Sequence, residues 1–485
     1  MLRSLLAAAL TALVTLTACS SQPAAQPAPV RLADDLTAKV TLDNMVGHLQ
    51  RFQEIADRNG GSRADGTPGF DASVDYVAKL LQDKGFDVQI PEFQRLETVT
   101  AGKPSLVIGG RNFQVDQASL LAPTQPRGVS GLVVEPTRPA GCRAGDYADV
   151  PKGGVAVVDD TGCSVVDKHN AATAHGAVAL VVISAGGQGG SPRGLFPRGY
   201  YDGLKIPVGI AGTDAGTALR RTGSAVRLVL DGRTKKVRSR NILAQTKTGS
   251  TSDVVMVGAH LDGAAGSPGV NDNATGVAAV LETALQLGSS PQAKNAVRFA
   301  FWGAEESGLA GSLDYVFGRS RDELNDIALY LNFDLLGSSN AGFFTYDGDQ
   351  SGPSPVDGVP IGSAGLERTL AGYLNLAGKR PADLPLQQRT DYQSFLTAGV
   401  PVGGMTTGAT EVKTKVQARL WGGQVGAPFD PNYHTPRDRL DAVNRDAYAL
   451  MGSGVAFAVG TYATSIDGVN GVPERAKRHR PALAP

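Results

Sequence analysis

What this chain most lacks is charge of one sign. Its 46 Lys+Arg are matched by 46 Asp+Glu, a formal net charge of +0. A nucleic-acid binder carries a basic excess to neutralise phosphates, so no nucleic-acid partner is expected. Charge is also sparse: 19% of the 485 residues are charged against 42% apolar, a balance that fills cores and excludes global disorder. Long hydrophobic runs are missing. After the first twenty residues no stretch approaches the ~18 apolar positions of a membrane-spanning helix. Cysteine occurs three times and histidine six. Glycine, by contrast, occurs 61 times, about twice average usage. These glycines fall between apolar runs, which reads as tight loops between strands and not as low complexity. At roughly 100 to 200 residues per domain, the chain has room for two or three folding units.

The N-terminus reads as an address. Met1-Leu2-Arg3 supplies a positive end, a short apolar run follows from Leu5 to Leu16, and Leu16-Thr17-Ala18-Cys19 closes it. That ending resembles the lipobox of bacterial lipoprotein signals. The resemblance implies removal of 1–18 after the small Ala18 and attachment of lipid to the Cys19 thiol. The alternative is an ordinary secretory signal with an incidental cysteine. Residues 19–38 then form a tether, flexible from Ala24 to Pro29. A two-chain lipid anchors stably, so the expected location is extracytoplasmic, held on a membrane. If Cys19 is lipidated, Cys142 and Cys163 remain as an even pair outside the reducing cytosol, and a disulfide is expected, the alternative being two unpaired thiols. Its loop of about 20 residues would contribute about 3 kcal/mol.

The remaining chain divides by pattern. Met45, Val46, Leu49, Phe52 and Ile55 repeat at helical period behind Asp43 and stop at Gly60-Gly61. A second helix is expected over 71–84, with Val74, Val77, Leu80 and Leu81 on one face and Gly85 as its stop. A strand is expected over 86–93. Between 115 and 236 the pattern changes to short β-branched runs at 131–135, 154–159 and 178–183, separated by Gly/Pro turns, with one helix over 167–176. Gly141-Cys142, Lys152-Gly-Gly-Val-Ala-Val-Val, Cys163 and the run 168–176 before an apolar strand resemble a protease-associated domain. That module usually sits over the mouth of a peptidase without catalysis of its own. From 237 strands at 254–258, 296–302 and 328–333 alternate with helices near 275–287 and 307–317. The expected fold is therefore α/β: a mainly parallel mixed sheet flanked by helices, built from 39–114 and 237–467, with a smaller β-rich insert at 115–236. The tail at 468–485 carries Arg475, Lys477, Arg478 and Arg480 and is expected to be disordered, a phospholipid contact being the alternative.

Such sheets place ligands beyond the carboxyl ends of their strands. There the chain repeatedly presents metal-type ligands: Gly258-Ala-His260-Leu-Asp262, Asn271-Asp272-Asn273-Ala-Thr-Gly276, Ala304-Glu305-Glu306-Ser-Gly308, Asn332-Phe-Asp334 and Asn432-Tyr433-His434-Thr-Pro436. One such residue alone is more often a cap or a solvated loop residue. Their joint occurrence is the signal, because unpaired carboxylates directly after apolar runs are costly.

These residues resemble the di-zinc aminopeptidases of metallopeptidase family twenty-eight, secreted bacterial members in particular. Arg389-Thr-Asp391-Tyr-Gln-Ser-Phe395, Ala398-Gly-Val-Pro401, Gly403-Gly404 and Trp421-Gly-Gly423 carry the same likeness. It implies a zinc exopeptidase fold holding two Zn2+ per chain, one by His260, Asp272 and Asp334, the other by Asp272, Glu306 and His434. Each set leaves room for water or substrate, as a catalytic zinc site requires, and one bridging carboxylate holds the pair close. It further implies Glu305 as general base, Asp262 orienting His260, Tyr433 donating to the oxyanion and Arg389 gripping a substrate carboxylate. Many members carry cysteines around the Tyr-His pair; here Asn432 and Arg437 stand there instead. The expected partners are peptide or protein substrates and, through the lipid, a membrane, with a monomer favoured. The expected activity is removal of N-terminal residues. A carboxypeptidase or dipeptidase shares the ligand set and stays open. A non-catalytic binding lipoprotein would normally have lost a ligand or the base, and all six positions are filled.

Overall fold

The computed structural model describes residues 32–147, 151–185, 192, 194–387, 390–468, 471–481 and 483. Its main sheet has eight strands in the order Asp87–Gln89, Ile242–Gln245, Asn295–Trp302, Ser250–His260, Ile327–Phe333, Val402–Thr406, Phe344–Tyr346, Ala382–Leu384. The four strands from Asn295–Trp302 to Val402–Thr406 run parallel to one another, and antiparallel strands flank them on both sides. This is the mainly parallel mixed sheet expected. Both faces are buried, and side chains alternate between them as pleating requires. Val255, Val257 and Ala259 enter one core under the helices Leu42–Arg58, Pro68–Asp83, Thr275–Leu287 and Arg445–Thr464. Met256, Trp302 and Tyr330 enter the other, beside Tyr315, Tyr392 and Phe395.

The ordered fold begins inside the segment expected to be tether: the helix Leu32–Lys39 buries Ala33 and Leu36 and packs on Arg445–Thr464, and the two helices after it also begin earlier than the apolar period suggests. Thr41 caps Leu42–Arg58 by accepting from the Asn44 amide, and Thr67 caps Pro68–Asp83 from outside Pro68. Proline suits the first helical turn, whose amide has no intrahelical partner, so Pro68 opens this helix instead of blocking it.

The insert holds two further sheets. One runs in the order Val115–Gln117, Val208–Ala211, Ala179–Ile183, Val155–Asp159, Val133–Val134. The other runs Arg111–Phe113, Ser105–Ile108, Val226–Val229, Val129–Gly131. The strand expected over 131–135 is thus split between two sheets. Ser105–Ile108 and Arg111–Phe113, which the pattern change at 115 left with the preceding unit, pair here. A two-stranded ribbon, Glu92–Thr100 against Arg233–Arg240, joins the two units, with Thr100 opposite Arg233. Cys142 and Cys163 form the disulfide. The buried Lys168 ammonium donates to the carbonyls of Ala140 (2.8 Å) and Thr161 (2.6 Å), fastening both arms of that loop.

The tail departs from expectation. Residues 471–481 lie against the sheet, with Arg478 and Arg480 buried. Arg478 donates to the carbonyls of Ser252 (2.9 Å) and Asn325 (2.6 Å), and Arg480 to those of Leu324 (3.2 Å) and Ile327 (2.7 Å). Each guanidinium finds carbonyls at the edge of the fold, which a count of basic residues cannot register. Among the described residues no helix is long and apolar enough to cross a membrane. Cys19 and the signal segment lie outside them.

Candidate active site

The cleft lies beyond the carboxyl ends of the parallel strands. His260 is the last residue of Ser250–His260, and Asp262 follows it into the loop. The His260 Nδ1 donates to the Asp262 carbonyl at 3.0 Å, which fixes the ring and turns Nε2 into the cleft. There Nε2 lies 3.3 Å from Asp272 Oδ1 and 3.3 Å from Asp334 Oδ1. The other oxygen of Asp272 faces His434 Nε2 at 3.0 Å, and His434 also meets Glu306 Oε2 at 3.1 Å. A single carboxylate therefore reaches two imidazoles from two distant loops. Glu305 offers a ligand atom within 4.8 Å of His260 and Asp334.

Asp262, expected to orient His260, meets that ring through its backbone carbonyl, and its carboxylate has a different job. It stands 3.8 Å from His260 Nδ1, and instead accepts from the amides of Glu305 (3.1 Å) and Glu306 (3.3 Å). Fully buried, it holds the Glu-Glu backbone against the end of the neighbouring strand. Tyr433 stacks on His434 with centroids 3.8 Å apart. Thr390, within the Arg389–Phe395 segment but given no role there, donates to Asp334 Oδ2 at 3.2 Å. Arg389 lies outside the described residues. Around the cleft the loops adopt costly left-handed backbone at non-glycine residues: Ala304 (φ 58°), Leu309 (φ 61°), Leu335 (φ 55°) and His434 (φ 56°). Strain of this kind concentrates where a fold must aim particular groups.

The open space measures about 690 Å³. Besides the cluster, Leu309, Leu313, Tyr346, Gln387, Gln393 and Tyr433 line it. Electrostatically the cluster is unbalanced. Burial pushes the Glu306 carboxyl up to about 7, with the Asp272 charge adding to it, and burial raises Glu305 well above the carboxylate range. Burial opposes charge on His434 too, yet its bonds to Asp272 and Glu306 carry it up to about 10. Burial alone would raise Asp272, but hydrogen bonds from His260 and His434 hold it well below its ordinary value. Glu306 Oε1 is buried without any hydrogen-bond partner. With its Nδ1 proton committed to a carbonyl, His260 presents a nitrogen to carboxylate oxygens that needs a proton or a cation between them. Borderline nitrogen and hard oxygen donors, converging with one oxygen unpartnered, are the chemistry of a divalent-metal site.

Three residues outside every motif complete this architecture: Arg63, Asp430 and Asp438, all buried. Apart from the Asn432 amide, which donates to Asp430, their partners are backbone groups and an asparagine far away in the chain, so no local pattern marks them.

A parallel sheet whose strand ends gather imidazoles and carboxylates into an open cleft defines a metal-dependent hydrolase. Comparison with known proteins narrows the class. The family model described as Peptidase family M28 matches residues 241–459, and that of the PA (protease-associated) domain matches 129–219. The chain is 47% identical over 467 residues to the probable lipoprotein aminopeptidase LpqL of Mycobacterium tuberculosis, covering 94% of this chain and 92% of that one. It is 37% identical over 431 residues to an aminopeptidase of Pseudomonas aeruginosa, covering 85% and 79%. The solved structure of BSAP, a zinc aminopeptidase from Bacillus subtilis, aligns with a TM-score of 0.50 at 23% identity over 90% of this chain and 99% of that one, a likeness of fold. The chain belongs to peptidase family M28 and is a peptide hydrolase with an inserted protease-associated domain.

Proposed function

We propose that this protein is a zinc-dependent aminopeptidase that removes N-terminal residues from peptides or proteins outside the cytoplasm. The observation that carries the reading is Asp272, whose two oxygens face His260 at 3.3 Å and His434 at 3.0 Å. It is the arrangement of one carboxylate shared by two metal ions. We assign two zinc ions per chain, one to His260, Asp272 and Asp334, the other to Asp272, Glu306 and His434. Zinc in such a site supplies a Lewis acid and makes its water acidic enough to ionise near neutral pH. The names of the relatives support the aminopeptidase reading, and that of the Bacillus subtilis structure supports zinc.

Glu305 takes the proton of the attacking water and passes it to the leaving amine; its burial and raised pKa suit a group that must gain and lose a proton. Tyr433, stacked on His434, donates to the developing oxyanion. Asp262 keeps Glu305 and Glu306 aimed through their amides. Thr390 holds Asp334, and Arg389 grips a substrate carboxylate. Lipidation at Cys19 would keep the enzyme on the outer face of a membrane, in keeping with the name of the Mycobacterium tuberculosis relative. We take the insert as the segment between Thr100 and Arg233, where the ribbon closes. The test is metal analysis of the purified chain beside an assay of an amino-acid anilide against an N-blocked peptide. Bound zinc with cleavage of the anilide alone is expected. Cleavage of the blocked peptide from its carboxyl end would replace this reading with a carboxypeptidase, and neither activity would leave a binding protein.

A further inference from the structure

Asp438 stands four residues beyond His434 and is completely buried. Its Oδ1 accepts from the Asn271 amide at 2.6 Å and its Oδ2 from the Asp272 amide at 3.0 Å. Its own carbonyl accepts from the Val270 amide at 3.3 Å. Three consecutive amides leading into Asp272 thus end on one residue of the His434 loop. Asp430, on the other side of His434, accepts from the Asn271 side chain at 2.6 Å. From the opposite direction, Arg63 donates to the carbonyls of Leu261 (2.7 Å) and Pro268 (2.9 Å) and to that of Gly269, holding the loop between His260 and Asp272. The Arg63 guanidinium is wholly buried, and Asp438, Asp262 and Asp272 are the charges that face it.

These contacts do more than fill space. A bridging carboxylate must keep both oxygens pointed at different partners, and its direction is set by the backbone that carries it. Asp272 sits on a turn whose amides would otherwise need water or a helix; Asp438 fixes them in a buried place. Because Asp438 shares a short loop with His434, the same carboxylate sets the distance between the bridge and the last imidazole. Two ligand loops some 160 residues apart in sequence are thereby one rigid unit.

We propose that Asp438 is a positioning residue for the metal centre: it locks the Asp272 and His434 loops together so that the bridging carboxylate is preset, with Arg63 clamping the loop that precedes it. The proposal rests on the metal-centre reading above. Supporting groups of this kind are worth about 10- to 100-fold in metal affinity. Asp438→Asn keeps the volume but turns an amide N–H towards a backbone N–H, so one clamp bond is lost. On the full chain, zinc affinity measured by chelator competition should fall about 10- to 100-fold. Excess zinc should restore kcat on the anilide with KM unchanged. Glu282→Gln is the control, a buried carboxylate of the helix Thr275–Leu287 whose hydrogen-bond partners, Asn44, His48 and Gln286, lie outside the cluster. It should lower the melting temperature without moving zinc affinity. A folded Asp438→Asn that binds zinc within about twofold of the wild type, or a Glu282→Gln that loses zinc equally, would overturn the proposal. If Asp438→Asn does not fold, hydrogen exchange in the zinc-free wild-type chain decides: protected Asn271 and Asp272 amides support the clamp, and amides exchanging like an exposed loop overturn it. A wild-type chain that binds no zinc removes the metal reading and this proposal with it, whereas equal zinc binding by wild type and variant removes the proposal alone.

Discussion

Two buried histidines separate the two units of this molecule. His169, in the insert, is satisfied entirely by neutral groups: its Nε2 accepts from the amides of Lys205 (2.8 Å) and Ile206 (3.2 Å), and its Nδ1 meets Asn170 Oδ1 at 3.0 Å. Burial lowers its pKa, and the ring stays neutral. His260, in the cleft, is buried just as deeply. Burial opposes its charge as well, yet Asp334 and Glu305 beside it raise it well above its ordinary value. Buried charges in the insert are likewise provided for: Lys168 ends on two carbonyls, and Asp146 on the Arg138 guanidinium and the Arg143 amide. In the cleft, carboxylates crowd one another and Glu306 Oε1 has no partner. Buried charge that the fold satisfies is structural; buried charge that it leaves unbalanced marks where a cation and a reaction belong.

The sharpest way to break this contrast is to change the cleft without changing its shape. Glu305→Gln should lower turnover about 10² to 10⁴-fold while zinc content stays at the wild-type level. Glu306→Gln, by contrast, should weaken one zinc, and added metal should partly recover its rate. Zinc stoichiometry and kcat on the same preparations check both. If Glu305→Gln loses metal and Glu306→Gln keeps it, the two roles are exchanged.

A smaller effect is expected from removing the insert. The ribbon pairs Thr100 with Arg233, so 101–232 can be replaced by a short turn between residues already opposite one another. The shortened chain should keep its zinc and its rate on the anilide, and change its activity mainly on longer peptides. Arg198 of the insert pairs with Asp314 beside cleft-lining Leu313, which makes a role in admitting substrate physically reasonable. Loss of zinc from a soluble, folded deletion chain would mean that the two units are not separable.

The subtlest expectation concerns pH. His169 has a folded pKa below its unfolded value of 6.5, so the unfolded chain binds the extra proton first. The insert's stability should be complete above about pH 6.5 and decline as the pH falls through that value. Hydrogen exchange of the strands Val155–Asp159 and Ala179–Ile183 between pH 8 and pH 5 reads this, and His169→Gln should flatten the profile. A profile unchanged by the substitution would show that His169 does not stay neutral on folding.

The patterns legible in the linear chain were those made by neighbours. Near-continuous apolar runs marked the strands Ser250–His260, Asn295–Trp302 and Ile327–Phe333, because a sheet covered on both faces buries the side chains of either side. His260, Glu305, Glu306 and Asp334 could be named because each ends or closely follows such a run, and Asp272 and His434 because their short motifs resemble those of the family. Even there the period misjudged the start of Pro68–Asp83, since a proline that breaks one helix opens another. What only the tertiary structure decided is which groups meet. Asp262 turned its carboxylate to the Glu305 and Glu306 amides, Ser105–Ile108 joined the insert's sheet, and Arg478 and Arg480 found carbonyls at the edge of the main one. Arg63 and Asp438 reached backbone groups more than 160 residues away. A hydrogen bond to a backbone amide or carbonyl carries no side-chain signature at the receiving end, since every residue but proline offers the same two groups. Candidate ligands could therefore be proposed from the chain, while the framework that brings those side chains together exists only once the chain has folded.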